Sequence, residues 1–320
     1  MDSVISWLLE GDPWVVYRTR LNLLHKGEDN PLVVTARGEM LVHPFVRQLV
    51  GELQTWTGGV INSHKSAGTL LHKLAFAADI GLRADDPGMP EVVERVLEHR
   101  DPLGPVQVLG NVSPGYGGSG LDTWGWALCD APTILFALAR MGLVNDNRVR
   151  AGVEHLISLA RPNGWPCAVS KELGSWRGPG RKGDPCPYAT LVMLKLLAEF
   201  TDLQDSPAVH DGAEALLDAW QRRRDFHPYI FYMGTDFCKL KAPLVWYDLL
   251  HVACVLTRFP WLRNDARLVE MLEIIRSKAD PEGRYTPESV WTAWKGWEFA
   301  QKKIPSRLVT LLAREALMKN

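Results

Sequence analysis

Apolar residues gather along this chain in six blocks that are apolar nearly all round. They close at Leu24, Leu82, Leu143, Phe200, Phe259 and Leu317, at intervals of 58, 61, 57, 59 and 58 residues. The stretch Thr190 to Ala198 carries a single charge, Lys195. A helix of that kind is buried on every side. Between the blocks lie segments with one polar face. In Arg150 to Leu159, Val153, Leu156 and Ile157 follow the three-and-four spacing, with Arg150 and Glu154 opposite. Comparable outer helices are predicted over Val42 to Leu53, Pro90 to His99, Ala208 to Trp220 and Ala266 to Ser277, with a short one from Ser3 to Glu10.

The pattern therefore predicts six helical hairpins, each pairing an outer with an inner helix. Proline marks the start of most inner helices: Pro13, Pro132, Pro185 or Pro187, Pro243 and Pro305. Proline suits a first turn because the N–H it lacks has no helical partner there. Turn signals follow outer helices at Arg100 to Gly104, Arg161 to Trp165 and Asp280 to Arg284. No strand-like alternation recurs. Six such pairs close naturally into a two-layered ring, read as one domain over residues 1–320. The inner helices would run the same way, with their N-terminal ends at one mouth. Long loops at 104–123, 164–183 and 226–241 would roof a central cavity.

Composition narrows the classes. Lys plus Arg number 36 and Asp plus Glu 37, so no charge excess points to nucleic acid or an anionic membrane. No apolar run is long enough to span a bilayer. The opening Met1-Asp2-Ser3-Val4 lacks a basic leader. The five cysteines have no framework spacing and read as reduced thiols in a cytoplasmic protein. Tryptophan stands out at 13 residues, several in connections, such as Trp56, Trp165 and Trp176. They either line a cavity or pack the loops onto the helices.

Candidate chemistry centres on Gly183 to Thr190, where Asp184 and Cys186 precede an apolar helix, and on His251 in the next repeat. Each has a plain alternative. Asp184 can cap the helix with Pro185 behind it, Cys186 can be a small buried side chain, and His251 can bond Asp248 or a backbone carbonyl. Arg177, Arg181 and Lys182 form a basic cluster in the preceding loop, either solvated or holding an anion. Trp124, Trp126, Tyr188 and Tyr247 lie near inner-helix starts, where they could line the mouth. Trp291, Trp294 and Trp297, spaced by three, suit one face of a short helix packed over the ring.

With its Gly-Trp-type turns, the six-hairpin pattern resembles the α/α toroid of terpenoid cyclases and protein prenyltransferase β subunits, an all-α fold. Asp184-Pro185-Cys186 resembles the Asp-x-Cys zinc motif of the latter, and Asp248 to Cys254 resembles their Asp-x-x-His-x-x-Cys segment. The resemblance implies a zinc ion held by Asp184, Cys186 and His251, with an open fourth position. It implies an allylic diphosphate gripped by Arg177, Arg181 and Lys182, and transfer to a thiol or small-molecule acceptor. An isoprenoid or other apolar ligand would fill the cavity beside Tyr188, Trp124, Trp126, Tyr247 and Asp248. The family's separate α subunit is not part of this chain. Two alternatives stand beside this expectation. One is a non-catalytic toroid that binds an apolar ligand. The other is a terpenoid cyclase using an acid such as Asp122 or Asp130, since no Asp-x-Asp-Asp motif occurs.

Overall fold

The computed structural model describes residues 2–318. In chain order its helices are α1 (Ser3–Leu8), α2 (Pro13–Arg18), α3 (Pro31–Val42), α4 (Pro44–Leu53), α5 (Leu70–Ile80) and α6 (Met89–Glu98). A hairpin, β1 (Val108–Asn111) with β2 (Asp122–Gly125), follows. Then come α7 (Ala131–Leu138), α8 (Asn147–Ile157), α9 (Pro187–Leu197), α10 (Pro207–Gln221), α11 (Leu249–Leu256), α12 (Ala266–Arg276) and α13 (Arg307–Met318). The expected all-α class of paired helices is what the structure shows. Among the described residues, no helix is long and apolar enough to cross a membrane.

Contacts divide the chain into two compact units, one of residues 1–49 and 234–320 and one of residues 50–233. In the first, α13 is the centre. It packs against α1, α2, α11 and α12 and buries Leu308, Val309, Leu311, Leu312 and Ala313. Its buried Glu315 pairs with Arg18 and accepts from Asn22 Nδ2 at 2.7 Å. A buried carboxylate with two donors avoids the penalty of an orphaned charge. Glu298 serves as the cap of α13, accepting from Leu308 N at 2.8 Å and Ser306 Oγ at 2.9 Å. The tryptophans of 291–297 divide their roles. Trp294 is buried and Trp297 packs on Trp14 and Phe45 at centroid distances of 5.1 and 5.2 Å. Trp291 instead lies under the Lys241 ammonium, 4.6 Å from its ring, and only 292–294 form a helical turn.

In the second unit, α5, α7 and α9 lie side by side, with α8 against α7 and α10 against α9. Every residue of α7 and of α9 is buried, as their all-round apolar sequence requires. Both α2 and α7 end in a five-residue π-helical turn, over Thr19–Leu23 and Ala139–Leu143.

Two elements escape the periodic reading. Helix α3 buries Val33, Ala36 and Met40 but exposes Leu32, Val34 and Val42, so its apolar residues lie on both faces and blur the stripe. The β-hairpin occupies most of the 104–123 loop and runs on to Gly125, antiparallel with Val108 opposite Gly125 and Asn111 opposite Asp122. Strands of four residues are too short to declare a period of two. The proline signal also slips in α11, which starts at Asp248 rather than near Pro243.

Candidate active site at three helix starts

The N-terminal ends of α5, α7 and α9 converge on a cluster that the sequence reading only partly contains. Cys186 caps α9, with Pro187 in the first turn. Asp184 is therefore not the cap, and Pro185 lies outside the helix. Helix α7 is preceded by Cys129 and Asp130. Asp130 makes no capping bond, because its carboxylate is turned to His64, Oδ1 to Nδ1 at 2.6 Å. The Asp130 side chain is 3% exposed and that of His64 22%.

Three backbone devices hold these side chains. The segment before His64 is bridged to the hairpin, with Ile61 N donating to Leu109 O at 2.8 Å. His72, on α5, is fully enclosed, and its Nε2 donates to His64 O at 2.7 Å. Burial lowers the His72 imidazole to about 4, so it is neutral near pH 7 and suited to donating from Nε2. The 165–170 strip lies between the starts of α7 and α9. Leu128 N donates to Ala168 O at 3.0 Å, and Cys186 N donates to Trp165 O at 2.7 Å.

Electrostatics then sort the thiols. Cys186 is hydrogen-bonded to Cys129, and this bond is the main force lowering its pKa. Burial opposes it, while the N–H groups of Tyr188 and Ala189 and the nearby His64 help. These are the means by which a helix start stabilises a thiolate. The same bond, together with burial, pushes Cys129 well above the ordinary thiol value. Burial raises Cys167 to about 11. Burial also pulls His64 down, but the Asp130 carboxylate and the Cys186 sulfur more than offset it, and the imidazole ends raised. Both shifts thus run toward the charged forms of the pair. Tyr188, hydrogen-bonded to Thr133, is raised chiefly by burial and stays a neutral phenol.

A loop covers this group. Trp176 packs on the His64 ring at 5.2 Å, Gly178 N donates to Cys167 Sγ at 3.2 Å, and Gly178 and Gly180 pack on the Tyr229 ring. A Cβ at Gly180 would come 2.8 Å from that ring, so this approach needs glycine. Arg177 bonds Gly180 O. Arg181 and Lys182 are exposed, and Lys182 O accepts from Arg161 at 2.9 Å. Trp124 stacks on His99 at 3.6 Å, while Trp126 is buried edge-on to His155 at 5.5 Å. Of the expected site residues, Cys186 and Tyr188 belong to the cluster.

Asp248, His251 and Tyr247 belong to the other unit. Asp248 caps α11, Oδ1 accepting from His251 N at 3.0 Å. His251 Nδ1 donates to Trp246 O at 2.9 Å, and Tyr247 packs on Phe237 at 5.2 Å. Lys241 Nζ stands 3.7 Å from Asp248 Oδ2. Burial pushes the Asp248 carboxyl up to about 6 despite Lys241. Between the ordinary 3.8 and about 6 the folded chain binds the proton more tightly than the unfolded one. The stability that Asp248 contributes is therefore full below pH 3.8 and is lost as pH rises through about 6. The full swing is about 3 kcal/mol. Asp248→Asn should remove this slope, read as urea midpoints from about pH 3.5 to 7. A variant with the wild-type slope would assign the titration elsewhere.

No family model and no curated protein matches this sequence. Among solved structures the chain is similar to a GH76 α-mannanase of Bacteroides thetaiotaomicron. Identity is 11%, over 98% of this chain and 85% of that one, with a TM-score of 0.46. It is also similar to a protein from Actinoplanes, at 16% identity over 96% of this chain and 89% of that one, with a TM-score of 0.42.

The prenyltransferase and terpenoid cyclase resemblance is corrected by the structure, in which the motif residues are engaged differently. Cys186 sits at the start of α9 and is coupled electrostatically to Cys129, and His251 bonds Trp246 O. Among the described residues no three His, Cys, Asp or Glu side chains gather as metal ligands, so the zinc set Asp184, Cys186 and His251 is unsupported. Without it the isoprenoid transfer has no support. Asp130, considered as a cyclase acid, is engaged by His64.

His64 and Cys129 were missed. His64 sits in a polar loop, Asn62 to Ser66, with no motif around it. Cys129 did carry a signal. It lies 57 residues before Cys186, the same interval that separates Leu143 from Phe200, so the two thiols occupy equivalent repeat positions.

Proposed function

We propose that this chain is a cysteine-nucleophile enzyme acting on an acyl group, as an ester, thioester or amide. One observation carries the reading. A thiol lowered at a helix start shares its electrostatic surroundings with an imidazole whose Nδ1 is 2.6 Å from a buried carboxylate. Nucleophile, base and orienting group are the parts that covalent acyl transfer needs.

In this scheme the Cys186 thiolate adds to the carbonyl carbon, and the departing alcohol, thiol or amine takes its proton from His64 Nε2. His64 then removes a proton from water, which attacks the thioester, releases the acid and restores Cys186. Asp130 keeps Nδ1 protonated and steadies the imidazolium. His72 fixes the main chain at His64. Substrate would reach the thiol by displacing the 174–183 loop. Glycoside hydrolysis, the activity in the neighbour's name, needs two carboxylates flanking the scissile bond. Asp130 is committed to His64, so the geometry favours the thiol.

The test is to incubate the protein with p-nitrophenyl esters and aryl thioesters, quench in acid and map adducts by mass spectrometry. An acyl group on Cys186, with a burst of leaving group followed by slower turnover, is expected. Acylation confined to other cysteines would reject the reading.

A further inference from the structure

The second thiol of the cluster has no part in the acyl scheme. Cys129 lies just before α7 and Cys186 caps α9, and these helices pack side by side. Both cysteines are buried, and their thiols are near enough to couple electrostatically. Oxidation would join them through a sulfur–sulfur bond of about 2.05 Å. Cys167, in the strip between the two helix starts, is a third thiol within electrostatic reach of both. It already accepts from Gly178 N.

We propose that Cys129 and Cys186 form a reversible oxidation site, in which a hydroperoxide converts the neighbouring pair into a disulfide that joins the starts of α7 and α9. The inference rests on the nucleophilic thiolate of the preceding section but not on its acyl chemistry. The Cys186 thiolate attacks the terminal oxygen of the hydroperoxide. The oxygen–oxygen bond breaks, the alcohol (or water, from hydrogen peroxide) leaves with a proton, and Cys186 becomes a sulfenic acid. Cys129 sulfur then attacks Cys186 Sγ, the sulfur–oxygen bond breaks, and hydroxide leaves as water with the proton of Cys129. Two thiols are oxidised and one peroxide is reduced. Cys186 is the attacking sulfur because its pKa is lowered where that of Cys129 is raised, and Cys129 resolves because it is the thiol at the adjacent helix start. The disulfide removes both the nucleophile and the anionic partner of His64.

The full chain would be treated with stoichiometric hydrogen peroxide, blocked with N-ethylmaleimide and mapped without reduction. A linked Cys129–Cys186 peptide is expected, reversed by dithiothreitol, with Cys167 still alkylated. Cys167→Ser should give the same link. In Cys129→Ser the reaction should halt at a Cys186 sulfenic acid that dimedone captures. A Cys167–Cys186 link with Cys129 alkylated would overturn the assignment. So would Cys186 passing to sulfinic acid in the wild type without any disulfide. These masses are read on the thiols themselves. A failure of acyl chemistry with the disulfide intact would thus be told apart from a failure of the pair.

Discussion

Alanine at His64 is expected to slow acylation of Cys186 by about 10²- to 10⁴-fold, the span that a positioned acid–base contributes. It should also move the pH profile of Cys186 alkylation upward, toward that of an ordinary thiol. The sign follows from the charges. An imidazolium near the sulfur favours the thiolate, so removing it raises the pKa and less thiolate is present at neutral pH. Asp130→Asn should act in the same direction, because the carboxylate that raises His64 is lost and the amide no longer enforces the Nδ1–H tautomer. The fold should persist, since His64 lies in a loop with part of its ring open to solvent. Iodoacetamide rates between about pH 5 and 9, followed on the Cys186 peptide, separate this from a packing effect. Identical profiles in wild type and His64→Ala would remove His64 from the site.

Trp165→Ala is expected to cost about 3–5 kcal/mol of folding stability, the range for deleting a large buried aromatic. That is a large part of the roughly 5–15 kcal/mol that holds a typical domain folded. The ring is wholly buried, and its Nε1 donates to Leu156 O at 2.8 Å. The backbone N–H meets Thr190 Oγ1 at 3.1 Å. A Cβ added at Gly212 would come 2.7 Å from the Trp165 ring, so α10 approaches the indole as closely as a glycine permits. Truncation leaves a cavity among α8, α9 and α10 and orphans the Leu156 carbonyl. Trp165→Phe keeps most of the packing and loses the hydrogen bond, at about 1–3 kcal/mol. Denaturant unfolding measures both. A loss below about 1 kcal/mol for the alanine variant would contradict the packing described.

Of the two readings open for connection tryptophans, Trp165 follows the plain one, pinning a loop to a helix. Trp176 lies against His64 in the candidate site. Sequence could not separate them, because both lie in glycine-rich connections and differ only in what they meet across the fold.

The helices were legible because their signals are local. All-round apolar blocks at near-constant intervals mark α2, α5, α7, α9, α11 and α13, and one-faced segments mark the helices between them. Each depends on side chains three or four residues apart, a relation that sequence states directly. The helix start at Cys186 was legible too, but its cap was not. Asp184, Pro185, Cys186 and Pro187 offer overlapping start signals, and only the backbone path decides among them.

The site was not legible as a whole, because its parts come from residues 64, 72, 129–130 and 186, and no local rule links them. What assembles them is the packing of α5, α7 and α9, the bridge from Ile61 to the hairpin and the bond from Cys186 N to Trp165 O. Hydrophobic period in the sequence determines which helices form and which faces they bury. Tertiary structure alone decided that Cys186 neighbours Cys129 and His64 at the starts of α5, α7 and α9. Hydrogen bonds and charge coupling depend on distances across the fold, and a repeat only narrows where those distances can become short.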